Sequence, residues 1–288
     1  MSRKVLLSLC LVFVLSITGC SQGSSHMDEK KGEQEVTLTV FAAKSLDKVM
    51  EELVNEFKKD HENVTVIGNY DSSGTLMTQI QEGATCDIFF SADTRQMDQL
   101  ESQGGIVKKG TRRDLLNNQV CVVTYEGSKT KVTGLKDLNL ASSFALAAGS
   151  VPVGKYTRQA LVNEGILKKQ KDIAAISSET ISKALSGVEI NECANVGAVT
   201  TAVSEGSNEV GTVYYSDTYG LEDKLEILET IPYDLTGDVI YPVAMIHNQQ
   251  ADKKEKETAQ AFIMFLTSDS AKEIFTKYLF DVMEPEQK

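Results

Sequence analysis

Hydroxyl side chains follow two successive predicted strands of this sequence, at the points where helices begin. Ser45 follows the alternating segment 36–41, and Ser72 and Ser73 follow the apolar segment 64–67. The first N–H groups of a helix lack an intrahelical partner and carry a partial positive charge, and a serine there adds a hydroxyl donor. Two such termini facing one point would bind a small anion. Serine is also a common helix cap, so the pattern alone leaves both interpretations open.

The segment G-S-V-P-V-G-K at 149–155 resembles a different anion-binding element, the P-loop of nucleotide hydrolases. The eighth position of a P-loop holds magnesium through Ser or Thr, and here it is Tyr156. Pro152 also removes one of the backbone N–H donors that such a loop uses. We therefore do not predict nucleotide hydrolysis.

Residues that would carry out catalysis are sparse. The sequence has three histidines, His26, His61 and His247, in polar or strand-end contexts, and it contains no G-x-S-x-G motif. It also lacks the paired-histidine and CxxC spacings of metal sites. We predict no catalytic residue, no cofactor and no directly ligated metal cation, and hence no enzyme. A secreted hydrolase on the same fold is the alternative from a different functional class.

The elements that position the serines alternate between strand and helix. Apolar residues recur three and four positions apart at Leu46, Val49, Met50 and Leu53, which predicts a helix after the first strand. The pattern continues as β-α-β-α-β-α to about residue 100, which indicates a parallel sheet with right-handed crossovers. Segments 120–123, 144–147, 210–215 and 225–231 predict a second set of strands, and 239–246 predicts a strand that returns to the first set.

We therefore predict an α/β fold with two lobes that form a clamshell, each lobe a mainly parallel sheet flanked by helices, with two chain crossings. The first lobe would comprise residues 36–118 plus 243–288, and the second 119–242. Ligands of open α/β sheets bind outside the carboxyl ends of the strands. The predicted ligand position is therefore the cleft between the lobes, with closure by a hinge motion at the crossings.

The N-terminus has the pattern of a bacterial lipoprotein signal. Arg3 and Lys4 precede an apolar run over 5–17, which ends in I-T-G-C with Cys20 as the lipid acceptor. We predict a signal peptide over 1–19 and a flexible, lipid-anchored tether over 20–35. The alternative is an ordinary signal peptide in which Cys20 is incidental.

The remaining cysteines and the charge exclude further classes of protein. The remaining cysteines are three, an odd number, and each lies in an apolar context: Cys86, Cys121 and Cys193. We therefore predict buried thiols rather than a disulfide framework. The net charge of the chain is −12, which disfavours nucleic acid as a partner. A monomer is the default expectation.

Six short motifs in order resemble the periplasmic molybdate/tungstate-binding proteins of bacterial ABC importers. They are F-A-A-K-S-L at 41–46, D-S-S-G-T-L at 71–76, D-I-F-F-S-A-D at 87–93, V-P-V-G-K-Y at 151–156, G-T-V-Y-Y-S-D at 211–217 and Y-P-V-A at 241–244. The resemblance extends over about residues 36–278. It implies the periplasmic-binding-protein clamshell and an extracytoplasmic location.

The resemblance also implies an oxyanion site. Ser45 and Ser73 would donate hydroxyl and backbone N–H groups, Val153 and Ile181 would donate backbone N–H groups, and Tyr214 would donate its phenol. The implied partners are a membrane permease and a cytoplasmic ATPase. Neutral donors alone can hold a tetrahedral dianion, and a site made only of donors would reject protonated phosphate. The choice between molybdate and tungstate stays open, and sulfate or another small anion is the alternative solute.

Overall fold

The computed structural model describes residues 35–283, so Cys20 and the predicted signal peptide lie outside the described part. The strands are β1 Val36–Ala43, β2 Val64–Asp71, β3 Ile88–Phe90, β4 Arg113–Asn117, β5 Val120–Tyr125, β6 Ser143–Ala147, β7 Glu189–Cys193, β8 Val210–Tyr214, β9 Leu225–Thr230, β10 Tyr241–Met245 and β11 Asp281–Val282. The α-helices are α1 Asp47–Phe57, α2 Ser73–Gln81, α3 Thr94–Ser102, α4 Pro152–Asn163, α5 Ser178–Ala184, α6 Val196–Ser204, α7 Tyr233–Thr236, α8 Lys253–Leu266 and α9 Asp269–Lys277.

Two sheets form the centres of two lobes, which confirms the predicted clamshell. One sheet has six strands in the order β11-β4-β10-β3-β1-β2, and the other has five strands in the order β7-β6-β8-β5-β9. The chain leaves the six-stranded sheet after Asn117 and enters the other at Val120, and it returns at Tyr241. The returning strand thus begins two residues before the lobe boundary that the sequence suggests.

The sheets contain more antiparallel pairing than the sequence predicts. Strand β1 pairs in parallel with β2 and β3, and β6 pairs in parallel with β7 and β8, as expected for β-α-β units. The strands next to the crossings, β4, β5 and β10, pair antiparallel with their neighbours. A strand that enters a sheet directly from the other lobe has no crossover helix to impose a parallel direction.

The sequence analysis did not predict three of the strands. The segments that form β4, β7 and β11 are short and rich in charged residues, and the burial of β7, for example, is confined to Cys193 at its end and partly to Ile190. These strands carry too little apolar alternation to be recognised by period alone. They lie at or near sheet edges, where neighbours supply the hydrogen bonds.

The core follows the predicted apolar stripes. Helix α1 buries Val49, Met50, Leu53 and Phe57, and the Phe57 ring meets Phe262 of α8 edge to face, with centroids 4.9 Å apart. Such packing of helices onto the six-stranded sheet fixes where α1 begins. The start of α1 in turn sets the position of Ser45.

The three described cysteines are buried and unpaired, as predicted. Burial raises the pKa of the Cys121 thiol to about 12 and also raises the pKa of Cys86. These thiols stay protonated at neutral pH and are poor nucleophiles.

Candidate functional site

Four helices begin at one small cavity between the lobes. Its walls are the 3-10 turn Lys44–Leu46 that leads into α1, together with the first residues of α2, α4 and α6 and the end of β8. Each of these segments follows the carboxyl end of a strand, so two helix N-termini from each lobe point their free N–H groups into the same space. This arrangement favours an anion.

Ser73 lies at the first position of α2 and is fully buried in the cavity wall. Ser72, one residue earlier, is the helix cap, since its hydroxyl accepts from the Thr75 N–H at 3.1 Å. The Ser73 hydroxyl instead accepts from the Ala92 N–H at 2.9 Å. A hydroxyl that accepts in this way keeps its own proton for donation into the cavity. The two serines therefore divide the roles of cap and cavity donor.

Ser45 lines the cavity but is not a helix cap. It lies inside the 3-10 turn, where no side chain caps the N-terminus. Its hydroxyl is 2.9 Å from the Tyr241 hydroxyl, which also accepts from the Asn118 amide at 3.2 Å. If Tyr241 accepts from Asn118 and donates to Ser45, the Ser45 proton is free to point into the cavity.

Val153 presents its backbone at the N-terminus of α4. Pro152 occupies the first helical position, where the missing N–H costs nothing, and Val153 comes next with a free N–H. The turn is tight, because a Cβ on Gly154 would lie 2.3 Å from the carbonyl oxygens of Ala147 and Ala148. Only glycine allows α4 to begin this close to the end of β6.

A buried arginine, which the sequence analysis did not single out, holds this turn in place. The Arg158 side chain is 1% exposed. Its guanidinium donates to the carbonyl oxygens of Ala147 at 2.8 Å, Gly154 at 2.9 Å and Ile176 at 2.8 Å. A charged group donating to three carbonyls is well suited to fix three backbone segments together. Arg158 thereby positions Val153 without lining the cavity itself.

Tyr214 ends β8 with its side chain in the cavity wall. It is 1% exposed, and its hydroxyl has no hydrogen-bond partner among the described residues. Burial raises the pKa of the Tyr214 phenol well above its usual value, so the group stays a neutral donor. A buried hydroxyl without a partner carries a desolvation cost, and an anion in the cavity would relieve it.

The predicted donor Ile181 does not line the cavity. Ile181 is buried within α5, and its N–H donates to the Ser177 carbonyl at 3.1 Å inside that helix. Val196 takes the corresponding place, because it is the first residue of α6 and lines the cavity. The signal that could have found it was Asn195, a strong N-cap whose side chain accepts from the Ala198 N–H at 3.0 Å.

The wall also contains two charged residues, so the expectation of donors alone needs correction. The Lys44 ammonium lies within hydrogen-bond distance of Asp47. The Asp71 carboxylate accepts from the Ser72 N–H at 2.7 Å and from the Asn195 amide at 3.1 Å. Both charges are engaged by protein groups. The remaining donors are the helix N–H groups and the three hydroxyls of Ser45, Ser73 and Tyr214.

Other features of the described residues bear on the class of protein. Between residues 35 and 283, no helix is long and apolar enough to cross a membrane. Over the same range, no group of three or more His, Cys, Asp or Glu side chains is placed to hold a metal ion.

Comparisons with known proteins agree with the geometry. Residues 38–281 match the family model of bacterial extracellular solute-binding proteins. YvgL of Bacillus subtilis, provisionally named an ABC transporter substrate-binding lipoprotein, is 32% identical over 94% of this chain and 95% of its own length. The molybdate-binding protein ModA of Escherichia coli is 31% identical over 90% of this chain and 92% of its own length.

A solved structure shows the same similarity. It is the substrate-binding domain of a protein from Clostridium difficile, provisionally titled a molybdenum ABC transporter. It has 30% identity and a TM-score of 0.62, with 87% of this chain and all of that chain covered. The matched family consists of extracytoplasmic solute-binding proteins rather than enzymes. This chain therefore belongs to the bacterial extracellular solute-binding proteins, as the binding component of an ABC importer.

Proposed function

We propose that this protein captures molybdate or tungstate in the cavity between its lobes and delivers it to an ABC permease driven by a cytoplasmic ATPase. The observation that supports this most directly is the meeting of four helix N-termini and the unpartnered Tyr214 hydroxyl at one small cavity. The relatives named for molybdate support the choice of solute.

The proposed donors are the hydroxyls of Ser45, Ser73 and Tyr214 and the backbone N–H groups of Ser45, Ser73, Val153 and Val196. A tetrahedral dianion such as molybdate offers only acceptors, so every one of these groups can point a hydrogen at it. Hydrogen bonds to a charged group contribute roughly 1.5–3 kcal/mol each. Several together offset the cost of removing the dianion from water without a side-chain cation in contact with it.

Phosphate tests whether the site offers mainly donors, because phosphate carries a proton at neutral pH. Its O–H needs an acceptor, and a donor in that position would leave an unfavourable contact. The Asp71 carboxylate in the wall is an acceptor, but its Oδ1 already accepts from the Ser72 N–H and the Asn195 amide. We therefore expect phosphate to bind much more weakly than molybdate.

The remaining parts of the proposal concern the whole chain. Lipid on Cys20 would anchor the protein to the outer face of the cell membrane, with 20–35 as the tether, and the lipoprotein name of the Bacillus subtilis relative supports this. The protein would act as a monomer. Its lobes would be residues 36–118 plus 241–288 and residues 119–240, and they would close by rotation about the two crossings.

Calorimetric titration of the chain from Asp28 onward tests the solute. Molybdate, tungstate, sulfate and phosphate would be added in turn to ligand-free protein. We expect tight binding of molybdate and tungstate and no measurable heat of binding with sulfate or phosphate. Binding of sulfate alone would keep the transport role and reassign the solute, whereas silence with all four anions would contradict an oxyanion site.

A further inference from the structure

Several polar contacts join the lobes within residues 35–283, and two of them lie beside the cavity. In the first, the Lys155 ammonium of α4 donates to the Asp93 carboxylate before α3, at 2.7 Å. In the second, the Asn195 amide before α6 donates to the Asp71 carboxylate at the end of β2, at 3.1 Å. Both contacts join a carboxylate of the six-stranded lobe to a helix N-terminus of the five-stranded lobe.

The first contact is shielded from water. The Asp93 side chain is 1% exposed and the Lys155 side chain 26% exposed. Asp93 uses its other oxygen to cap α3 by accepting from the Arg95 N–H at 3.0 Å. Opening would separate Lys155 from this buried carboxylate and leave Arg95, whose Nε lies 4.0 Å from the same oxygen, as the remaining cation. The shorter ion pair with Lys155 therefore stabilises the closed cleft.

The second contact involves groups that already position the cavity. The Asp71 oxygen that accepts from Asn195 also accepts from the Ser72 N–H at the start of α2. Asn195 at the same time caps α6 through its side-chain oxygen. One carboxylate therefore sets the distance between the N-termini that carry Ser73 and Val196.

We propose that these two contacts, Asp93–Lys155 and Asp71–Asn195, form an interlobe latch that holds the cleft closed over the bound anion and sets the rate of its release. The inference rests on the proposed oxyanion function. The latch residues are positioning residues, since their role is to hold the donors of opposite lobes around one point. Loss of the latch lowers the closed fraction, which weakens the apparent affinity in proportion.

A simpler hypothesis is that Lys155 affects binding only because its positive charge attracts the anion. The two accounts predict opposite effects for Asp93→Asn. Asparagine keeps the cap on α3, because Asn and Asp cap equally well, but it removes the ion pair and one negative charge near the cavity. If Lys155 acts only through its charge, the variant binds the anion more tightly; if the latch operates, it binds more weakly and releases faster.

Further variants separate geometry from charge. Lys155→Met should act in the same direction as Asp93→Asn, and Lys155→Arg should restore most of the affinity because the cation is kept. Asn195→Ser keeps a good cap on α6 and removes the donor to Asp71 with no change in charge. A weaker affinity for this variant could not come from a changed long-range attraction.

The experiment measures molybdate affinity by calorimetry and molybdate release by stopped flow, for the wild type and the variants, with thermal unfolding as the control for folding. We expect Asp93→Asn and Asn195→Ser to release molybdate at least about tenfold faster, with association rates changed far less. Unchanged release in folded variants, or tighter binding by Asp93→Asn, would overturn the latch alone. A wild type that binds none of the four anions would overturn the proposed function and the latch with it.

Discussion

Tyr214 and Tyr241 meet edge to face between the lobes, with ring centroids 5.8 Å apart, yet their hydroxyls differ in hydrogen bonding. The Tyr241 hydroxyl forms hydrogen bonds with the Ser45 hydroxyl and the Asn118 amide. The Tyr214 hydroxyl lies in the cavity wall without a partner. One tyrosine therefore belongs to the scaffold beside the crossing at Asn118, and the other is available to a ligand.

This difference predicts opposite effects on affinity and stability for Tyr214→Phe. Anion binding should weaken by about 10- to 100-fold, because one hydrogen bond to a charged group is lost. The free energy of unfolding of the ligand-free protein should stay equal or rise, because an unsatisfied buried hydroxyl is removed. Calorimetry and urea unfolding measure the two quantities. A loss of stability equal to the loss of affinity would show that Tyr214 has a structural role only.

The assignment of Val196 in place of Ile181 can be tested on the backbone. Val196 is the first residue of α6, and the preceding Asn195 is extended (φ −155°, ψ 172°), so proline fits there and deletes only the N–H. We expect Val196→Pro to weaken anion binding by roughly 10-fold or more with a folded protein.

Ser178→Pro is the matched control for this substitution. It also places proline at the first position of a helix, α5, after an extended residue. Helix α5 does not line the cavity, so the affinity should not change. Equal affinity in both proline variants would remove Val196 from the site, and weakening by Ser178→Pro alone would bring α5 back into it.

The backbone of the two lobes comes close together at Gly74. A Cβ on Gly74, in the first turn of α2, would lie 2.9 Å from the Ser150 carbonyl oxygen of the opposite lobe. Gly74→Ala should therefore oppose closure and weaken binding. The stability of α2 itself should rise by about 0.5–1 kcal/mol, because alanine is a better helix former than glycine. Small-angle scattering with saturating anion checks the closure. A variant as compact as the wild type, with equal affinity, would argue against a steric role for this position.

A buried carboxyl behind the site predicts a pH dependence of stability. Burial raises the pKa of Asp217 to about 7, although its carboxylate accepts from the Tyr214 N–H at 2.9 Å. Because the unfolded value is about 3.9, the folded state binds more protons between about pH 4 and 7, and the contribution of Asp217 to stability falls as pH rises through this window. Below it, both states are protonated and the contribution is constant.

Urea unfolding of Asp217→Asn across this pH range measures the effect. Asparagine keeps an acceptor for the Tyr214 N–H but does not titrate. The wild type should therefore lose stability relative to the variant as pH rises from about 4 to 7. Parallel pH profiles for the two proteins would mean that Asp217 titrates in the folded state as it does in the unfolded chain.

Cys20→Ala tests the anchor. The lipid acceptor would be lost, and the protein should move from the membrane fraction to the medium or remain as an unprocessed precursor. Fatty-acid labelling of the cells measures the modification directly, with Cys193→Ala as a variant that keeps the acceptor. Continued labelling of Cys20→Ala would place the lipid elsewhere.

The sequence predicted the fold because its strongest signals are local. The stripe of α1 and the short apolar strand β3 are visible in their own residues. Strands β4 and β7 are not, because their partners in the sheet rather than their side chains determine their conformation. The antiparallel pairing at the crossings was missed for the same reason.

The candidate site was predicted in part because its donors are of two kinds. Ser45, Ser73 and Tyr214 have side chains that a motif can identify, and each lines the cavity. A backbone donor such as the Val196 N–H cannot be recognised from the identity of its side chain. It is identified only by the helix that it begins, and choosing between α5 and α6 required knowing which of the two starts at the cavity.

The partial charges at the cavity come from the ends of helices that are enclosed between the lobes. Dissolved ions reach an exposed lysine easily, but they have little access to a closed interior, and buried charges are screened far less than exposed ones. A protein that works outside the cell meets water of widely varying ionic strength. A site built from enclosed backbone dipoles keeps its attraction for an anion where a surface of lysines would lose it.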